Sequence, residues 1–169
     1  HVWKRDGEKM TPRDYLIMGA ITLVYAVVAL INLGSRNVPE SYWRPLTIGE
    51  EAVVDLGDTY AMGSLYYYPG VSNGGRMEVS LSTDGQTYDA ALVVNMAPGE
   101  MYTWRTEELA GTARYVKLRA LDAKILVNEI AFYDSAGNRI TTLASSTPVE
   151  EGQSGNTAAL IDEQALVKE

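Results

Sequence analysis

Residues 76–90 read RMEVSLSTDGQTYDA. Met77, Val79 and Leu81 alternate with Glu78 and Ser80, the period of two expected of a strand with one buried face. Thr83-Asp84-Gly85-Gln86 follows, and Asp-Gly supplies the positive φ of a tight hairpin turn. YDAALVV, from Tyr88, then reads as the returning strand. The stretch is a β-hairpin with one apolar face.

Outward from the hairpin the same signals repeat. EAVVDLG (51–57) reads as a strand ending in a Gly turn, and AMGSLYYY (61–68) as one stopped by Pro69-Gly70. Tyr67 is expected to face opposite to Tyr66 and Tyr68, because neighbours on a strand alternate. Which set is exposed stays open. MYTWRT, ARYVKLRAL, ILVNEIAFYD and RITTL (139–143) continue the series, with Ser135-Ala136-Gly137-Asn138 joining the last two. That makes about eight strands in about 110 residues with no helical period among them, the pattern of an all-β sandwich.

Ahead of the strands the chain has another character. Tyr15–Leu33, YLIMGAITLVYAVVALINL, contains no charged residue. At 1.5 Å per residue it spans roughly 28 Å, near the thickness of the hydrocarbon layer, and apolar residues cover every face. It reads as a transmembrane helix. Lys4, Arg5, Lys9 and Arg13 precede it, against Arg36 and Arg44 just beyond, which places residues 1–14 as a cytoplasmic head and 34–169 on the extracytoplasmic side. Residues 34–145 form the sandwich. After Leu143 the small, polar, acidic run SSTPVEEGQSGNT marks a linker, so 146–169 reads as a connector back toward the membrane.

Composition removes several functions. The net charge of −8 argues against a nucleic-acid partner, since phosphate binding needs a basic surface. There is no cysteine, and the single histidine is His1, so thiolate metal sites, triads and imidazole acid–base chemistry are not expected. No oxygen-rich loop marks a calcium site; Asp84 and Asp89 read as turn residues. No cofactor is expected.

Together VVDLGDTY, EVSLSTDGQTYDA, ARYVKLRAL and NEIAFYD resemble the discoidin, or coagulation-factor type C, module across about residues 40–143. The resemblance implies a galactose-binding-like jelly-roll sandwich. Within it Asp55-Leu56-Gly57 closes a strand with a turn, Arg114 caps or bridges backbone groups, and Asn128-Glu129 precedes the last apolar run. A narrower resemblance rests on a helix ending in NLGS followed by SYWRP and the module. It is similar to bacterial relatives of the protein O-mannosyltransferases, membrane glycosyltransferases that use a polyprenyl-phosphate sugar donor. In that family such a module can follow the first spanning helix, and an acidic pair in the first external loop is catalytic. Here the only match is Asp162-Glu163, which lacks the aromatic and histidine neighbours of the family's pair and reads more simply as solvated connector.

Sugars present apolar C–H faces with a rim of hydroxyls, so their sites combine aromatic platforms with amide, carboxylate or guanidinium partners. Three loops offer both, and the candidates are Trp43, Arg44, Tyr68, Asn73, Arg76, Trp104 and Arg105. Trp43 also fits a packing role at the lower edge of the sandwich, Trp104 is open between core and site, and the Gly-rich loop 70–75 reads as free for ligand approach. The expectation is a non-catalytic extracytoplasmic module of a membrane glycosyltransferase that binds carbohydrate or positions a glycoprotein acceptor. The alternatives are a structural or protein-interaction domain without a sugar ligand, and a single-span cell-surface adhesin.

Overall fold

The computed structural model describes residues 11–32, 39–71, 74–145, 157–163 and 165, with the side chains of the first helix described to Val28. The chain divides into two units, His1–Arg36 and Asn37–Glu169.

The first unit holds the helix α1 (Pro12–Asn32). It starts ahead of the charge-free run because Thr11-Pro12-Arg13-Asp14 makes an N-terminal cap. Thr11 N–H and Oγ1 donate to Asp14 Oδ2 at 2.7 and 2.8 Å, and Pro12 occupies a first-turn position where no N–H is needed. Tyr15, Leu16, Ile17, Met18, Ile21, Leu23, Val24 and Tyr25 are all exposed. Among the described residues no helix is long and apolar enough to cross a membrane. Leu33 and the head up to Met10 lie outside the described residues.

In the second unit the strands are β1 (Glu51–Pro69), β2 (Gly75–Ser82), β3 (Asp89–Met96), β4 (Arg105–Ala120), β5 (Val127–Asp134) and β6 (Ala144–Ser145). They form one antiparallel sheet in the order β3-β2-β4-β1-β5, with β6 beside β1. The hairpin is as read: β2 pairs β3, and Met77, Val79 and Leu81 are buried. EAVVDLG and AMGSLYYY are not two strands but one. Gly57, at φ +83°, does not end the strand. It sits in a register shift between Asp55 and Tyr60, and a Cβ there would meet Thr142 Oγ1 at 2.9 Å. Arg114 does not cap backbone groups; its Nε donates to Asp55 Oδ1 at 3.1 Å across the bent β1–β4 pair. That guanidinium holds the Asp55 carboxyl below its ordinary range, helped by the Gly57 N–H.

The bend lets each half of β1 and β4 serve a different neighbour. Val116 and Leu118 of β4 pair with β2, while the second half of β1, from Met62 to Pro69, pairs with β5. Residues from both halves, Val54, Met77, Val79 and Leu118 with Leu65, Leu109, Ile130 and Phe132, join one core. MYTWRT and RITTL differ from the strand reading. Residues 101–104 form a loop ahead of β4, and of 139–143 only Arg139 makes an isolated bridge, to Tyr133.

The tail differs most. Residues 146–156 lie outside the described ones, but Thr157–Ile161 forms a short 3-10 turn whose Ala159 and Leu160 are buried. Leu160 belongs to the core cluster, so this part of the supposed connector is a structural piece of the sandwich. Leu160→Ala is expected to lower unfolding free energy by about 2–5 kcal/mol in urea denaturation. Leu46→Ala, at a position 51% exposed, should change it by under about 0.5 kcal/mol.

Candidate functional site

Three loops meet at one end of the sandwich: 69–75 between β1 and β2, 97–104 between β3 and β4, and 121–126 between β4 and β5. Tyr102 N–H donates to Pro69 O at 2.8 Å, and Gly70 N–H to Leu126 O at 3.0 Å. Loop 69–75 is not as free as its glycines imply. Gly70 is buried, and a Cβ on it would lie 2.2 Å from Leu126 Cδ2 and 2.3 Å from Asn128 Oδ1. Only glycine permits that approach.

These loops carry an aromatic cluster. The rings of Tyr68 and Trp104 meet edge to face at 5.4 Å between centroids, and Tyr102 lies 6.4 Å from Tyr68. Alternation along β1 settles the tyrosine question: Tyr67 is buried, whereas Tyr66 and Tyr68 are half-buried on the other face. Tyr66 packs on Tyr133 at 4.7 Å. Burial, and then the neighbouring Tyr102, push the Tyr68 phenol above its ordinary value, so its hydroxyl stays a neutral donor. Tyr67 is raised as well, by burial first and then by Glu107.

Two ion pairs border the loops. Arg105 pairs with Glu100 across loop 97–104, and the buried Arg105 Nε has no partner. Arg76 binds Asp122 with Nε to Oδ2 at 2.9 Å, and its backbone N–H reaches the same oxygen at 2.9 Å. The guanidinium holds Asp122 below the usual carboxylate range. Both arginines are thereby fixed in direction, which suits orienting hydroxyl ligands better than capturing a free anion.

The structure therefore brings together Tyr68, Trp104 and Arg105, and places Arg76 at the adjoining loop. Trp43 is a correction: it is fully buried, bridged to Val127 through N–H···O bonds of 2.8 and 3.0 Å, and its ring packs the core rather than a ligand. Arg44 is exposed on the segment after it. Asn73 lies outside the described residues. Tyr102, Glu100 and Asp122 were not among the candidates.

Asp162 and Glu163 are exposed, as read, but each is tied to the sandwich. Asp162 accepts a hydrogen bond from Ser41 Oγ, and Glu163 pairs with Arg139 at 3.3 Å. Asp84 is a turn residue as read: Oδ1 accepts from Gln86 and Thr87 N–H at 2.8 and 2.9 Å, which lowers its pKa. Among the described residues no three His, Cys, Asp or Glu side chains are grouped to hold a metal ion.

No family model matches the chain, and no curated protein matches it. Solved structures do. CBM32 of AlyQ in complex with 4,5-unsaturated mannuronic acid matches at 18% identity and a TM-score of 0.50, over 58% of this chain and 81% of that one. Truncated AlyQ with CBM32 and alginate lyase domains matches at 17% identity and 0.50, over 57% of this chain but only 27% of its own. CpGH89CBM32-5 from Clostridium perfringens, in complex with GalNAc-beta-1,3-galactose, matches at 18% and 0.47, over 56% and 76%. CBM32 modules are carbohydrate-binding modules with the galactose-binding-like, discoidin-type fold, so this chain shares that fold.

Tyr102 has φ +56°, a left-handed conformation that costs an L-residue about 1–2 kcal/mol. Such strain persists where a side chain must be presented in one direction. Tyr102→Gly should therefore leave the melting temperature unchanged or slightly raised, because relief of strain offsets the lost ring contact. A clear fall in a thermal melt would refute this account of the loop.

Proposed function

We propose that the sandwich is a non-catalytic carbohydrate-binding module whose site is the Tyr68–Tyr102–Trp104 cluster bordered by Arg105 and Arg76. The observation that carries this reading is the grouping of three aromatic rings, one held on strained backbone, at the meeting point of three loops. Exposed ring faces stack on the C–H face of a pyranose, and tyrosine hydroxyls and guanidinium N–H groups reach its hydroxyls. The kinship of fold with modules that bind sugars supports it. Asp162 and Glu163 are tied into the fold by Ser41 and Arg139, which favours a structural over a catalytic role for them.

The exposed apolar residues around α1 support a second part of the proposal, that this helix tethers the module to a membrane with the sandwich on the extracytoplasmic side. The resemblance to mannosyltransferase relatives then makes the module a gatherer of acceptor glycans, acting by raised local concentration beside the enzyme body.

Titrating the full chain with a panel of galactosides, N-acetylhexosamines, mannosides and uronides, followed by tryptophan fluorescence, tests the site. At least one class should quench or shift Trp104 emission. Trp104→Ala and Tyr102→Gly should each weaken that ligand about tenfold, equivalent to about 1.4 kcal/mol. No response from a folded protein across the panel would return the module to a structural or protein-contact role. In a separate flotation assay the full chain should rise with phosphatidylcholine vesicles. Retention in the aqueous fraction would reject the tether and leave sugar binding untouched.

A further inference from the structure

Glu129 is a carboxylic acid where period-two alternation should put solvent. On β5, Ile130 and Phe132 point into the core, so Glu129 and Ala131 point away from it. Yet Glu129 is only 1% exposed. The C-terminal segment packs against β5 and covers it. A small cavity beside the carboxyl is lined by Arg139, Thr141, Leu143, Ile161, Asp162 and Glu163.

The groups facing Glu129 come from every element around it. From the C-terminal segment, Asp162 and Glu163 line the same cavity as the Glu129 carboxyl; the Asp162 carboxyl raises the Glu129 pKa, and the backbone of Glu163 and Ala165 lowers it. Ser41, from the segment that enters the sandwich, donates to Asp162 Oδ2. Arg139, from the stretch between β5 and β6, is turned to Glu163 at 3.3 Å rather than to Glu129. Two carboxyl groups lining one small cavity, one of them buried, favour a proton between them, since two anions there would repel.

We propose that Glu129 and Asp162 form a proton-held clasp that fastens Thr157–Glu163 onto β5 and loosens it as pH rises. The neutral Glu129 carboxyl donates its O–H to the Asp162 carboxylate, while Ser41 donates to the other side of Asp162. Loss of that proton leaves two facing anions and turns the contact from attractive to repulsive. Burial first, and then the nearby Asp162, raise the Glu129 pKa from 4.5 to about 8. A carboxyl so raised adds stability that is fully present below its unfolded value and is lost as pH climbs through the folded one. The window of loosening therefore runs from about pH 4.5 to about pH 8. Ser41 precedes Trp43, so the clasp joins the entry and exit of the sandwich at one edge strand.

Hydrogen exchange of the full chain, with rates corrected for the pH dependence of chemical exchange, reads the clasp directly. Protection of peptides covering 157–163 should fall about tenfold per pH unit between pH 5 and pH 8, then level off. Peptides from β2 should show a shallower dependence. Glu129→Gln keeps a neutral hydrogen-bond donor and should abolish the slope in 157–163. Asp162→Asn, at an exposed position, removes the facing anion and should move the pH at which protection levels off downward, with burial of Glu129 keeping the slope below it. Protection in the wild-type segment that stays constant across pH 5–8 would overturn the proposal. So would a levelling-off pH in Asp162→Asn equal to that of the wild type, an outcome readable even where Glu129→Gln fails to fold.

Discussion

A sheet with one apolar face is unstable until that face is covered, and here two bent strands cover it with the sheet's own other half. β1 and β4 stay paired through a register shift at Gly57, with Arg114 on Asp55 bracing the bend. Their early and late halves then take different neighbours, β2 on one side and β5 on the other. Leu65, Leu109 and Phe132 are thereby brought against Val54, Met77 and Leu118. Without the bend the sheet would be an open ribbon with a wet core face. Every connection between the halves must also cross at an end. That is why 69–75, 97–104 and 121–126 converge, and why an aromatic from β1 meets one from the loop before β4.

The parts legible in the sequence are those fixed by neighbours along the chain. Period two identified the face of β2, and it required Tyr67 to oppose Tyr66 and Tyr68. Asp84-Gly85 marked a turn because Asp84 takes its N–H partners from Gln86 and Thr87. What was not legible depended on partners far away. Gly57 looks like a strand stop until Thr142 is found against it, and Gly70 looks free until Leu126 and Asn128 close over it. Trp43 offered equal chemistry to a ligand and to a core, and only its bridge to Val127 decides for the core. Tyr68 and Trp104 meet through the β1–β4 register, in which Tyr67 faces Arg105, a pairing that strand alternation alone does not specify. The loop Tyr102-Thr103-Trp104-Arg105 is legible as aromatic and polar, whereas the left-handed φ of Tyr102 is a backbone property that side-chain chemistry does not announce.

The tail shows the limit most clearly. ALID (159–162) is too short for periodicity and is preceded by a polar run, so nothing local separates a core segment from a connector. Its role is imposed by what it covers. In the β1–β5 ladder Tyr68 is the register partner of Glu129, and Tyr67 that of Ile130. One row faces the core. The other row begins with the aromatic cluster on β1 and continues to a carboxyl on β5 that is dry only while Thr157–Glu163 lies over it. Burial of Glu129 thus depends on the covering segment. A titratable group whose burial is conditional couples proton binding to the position of the covering segment, because desolvation is the main cause of its raised pKa. The same alternation that builds the core therefore places this proton-sensitive contact on the face that carries Tyr68, one strand away from the rings.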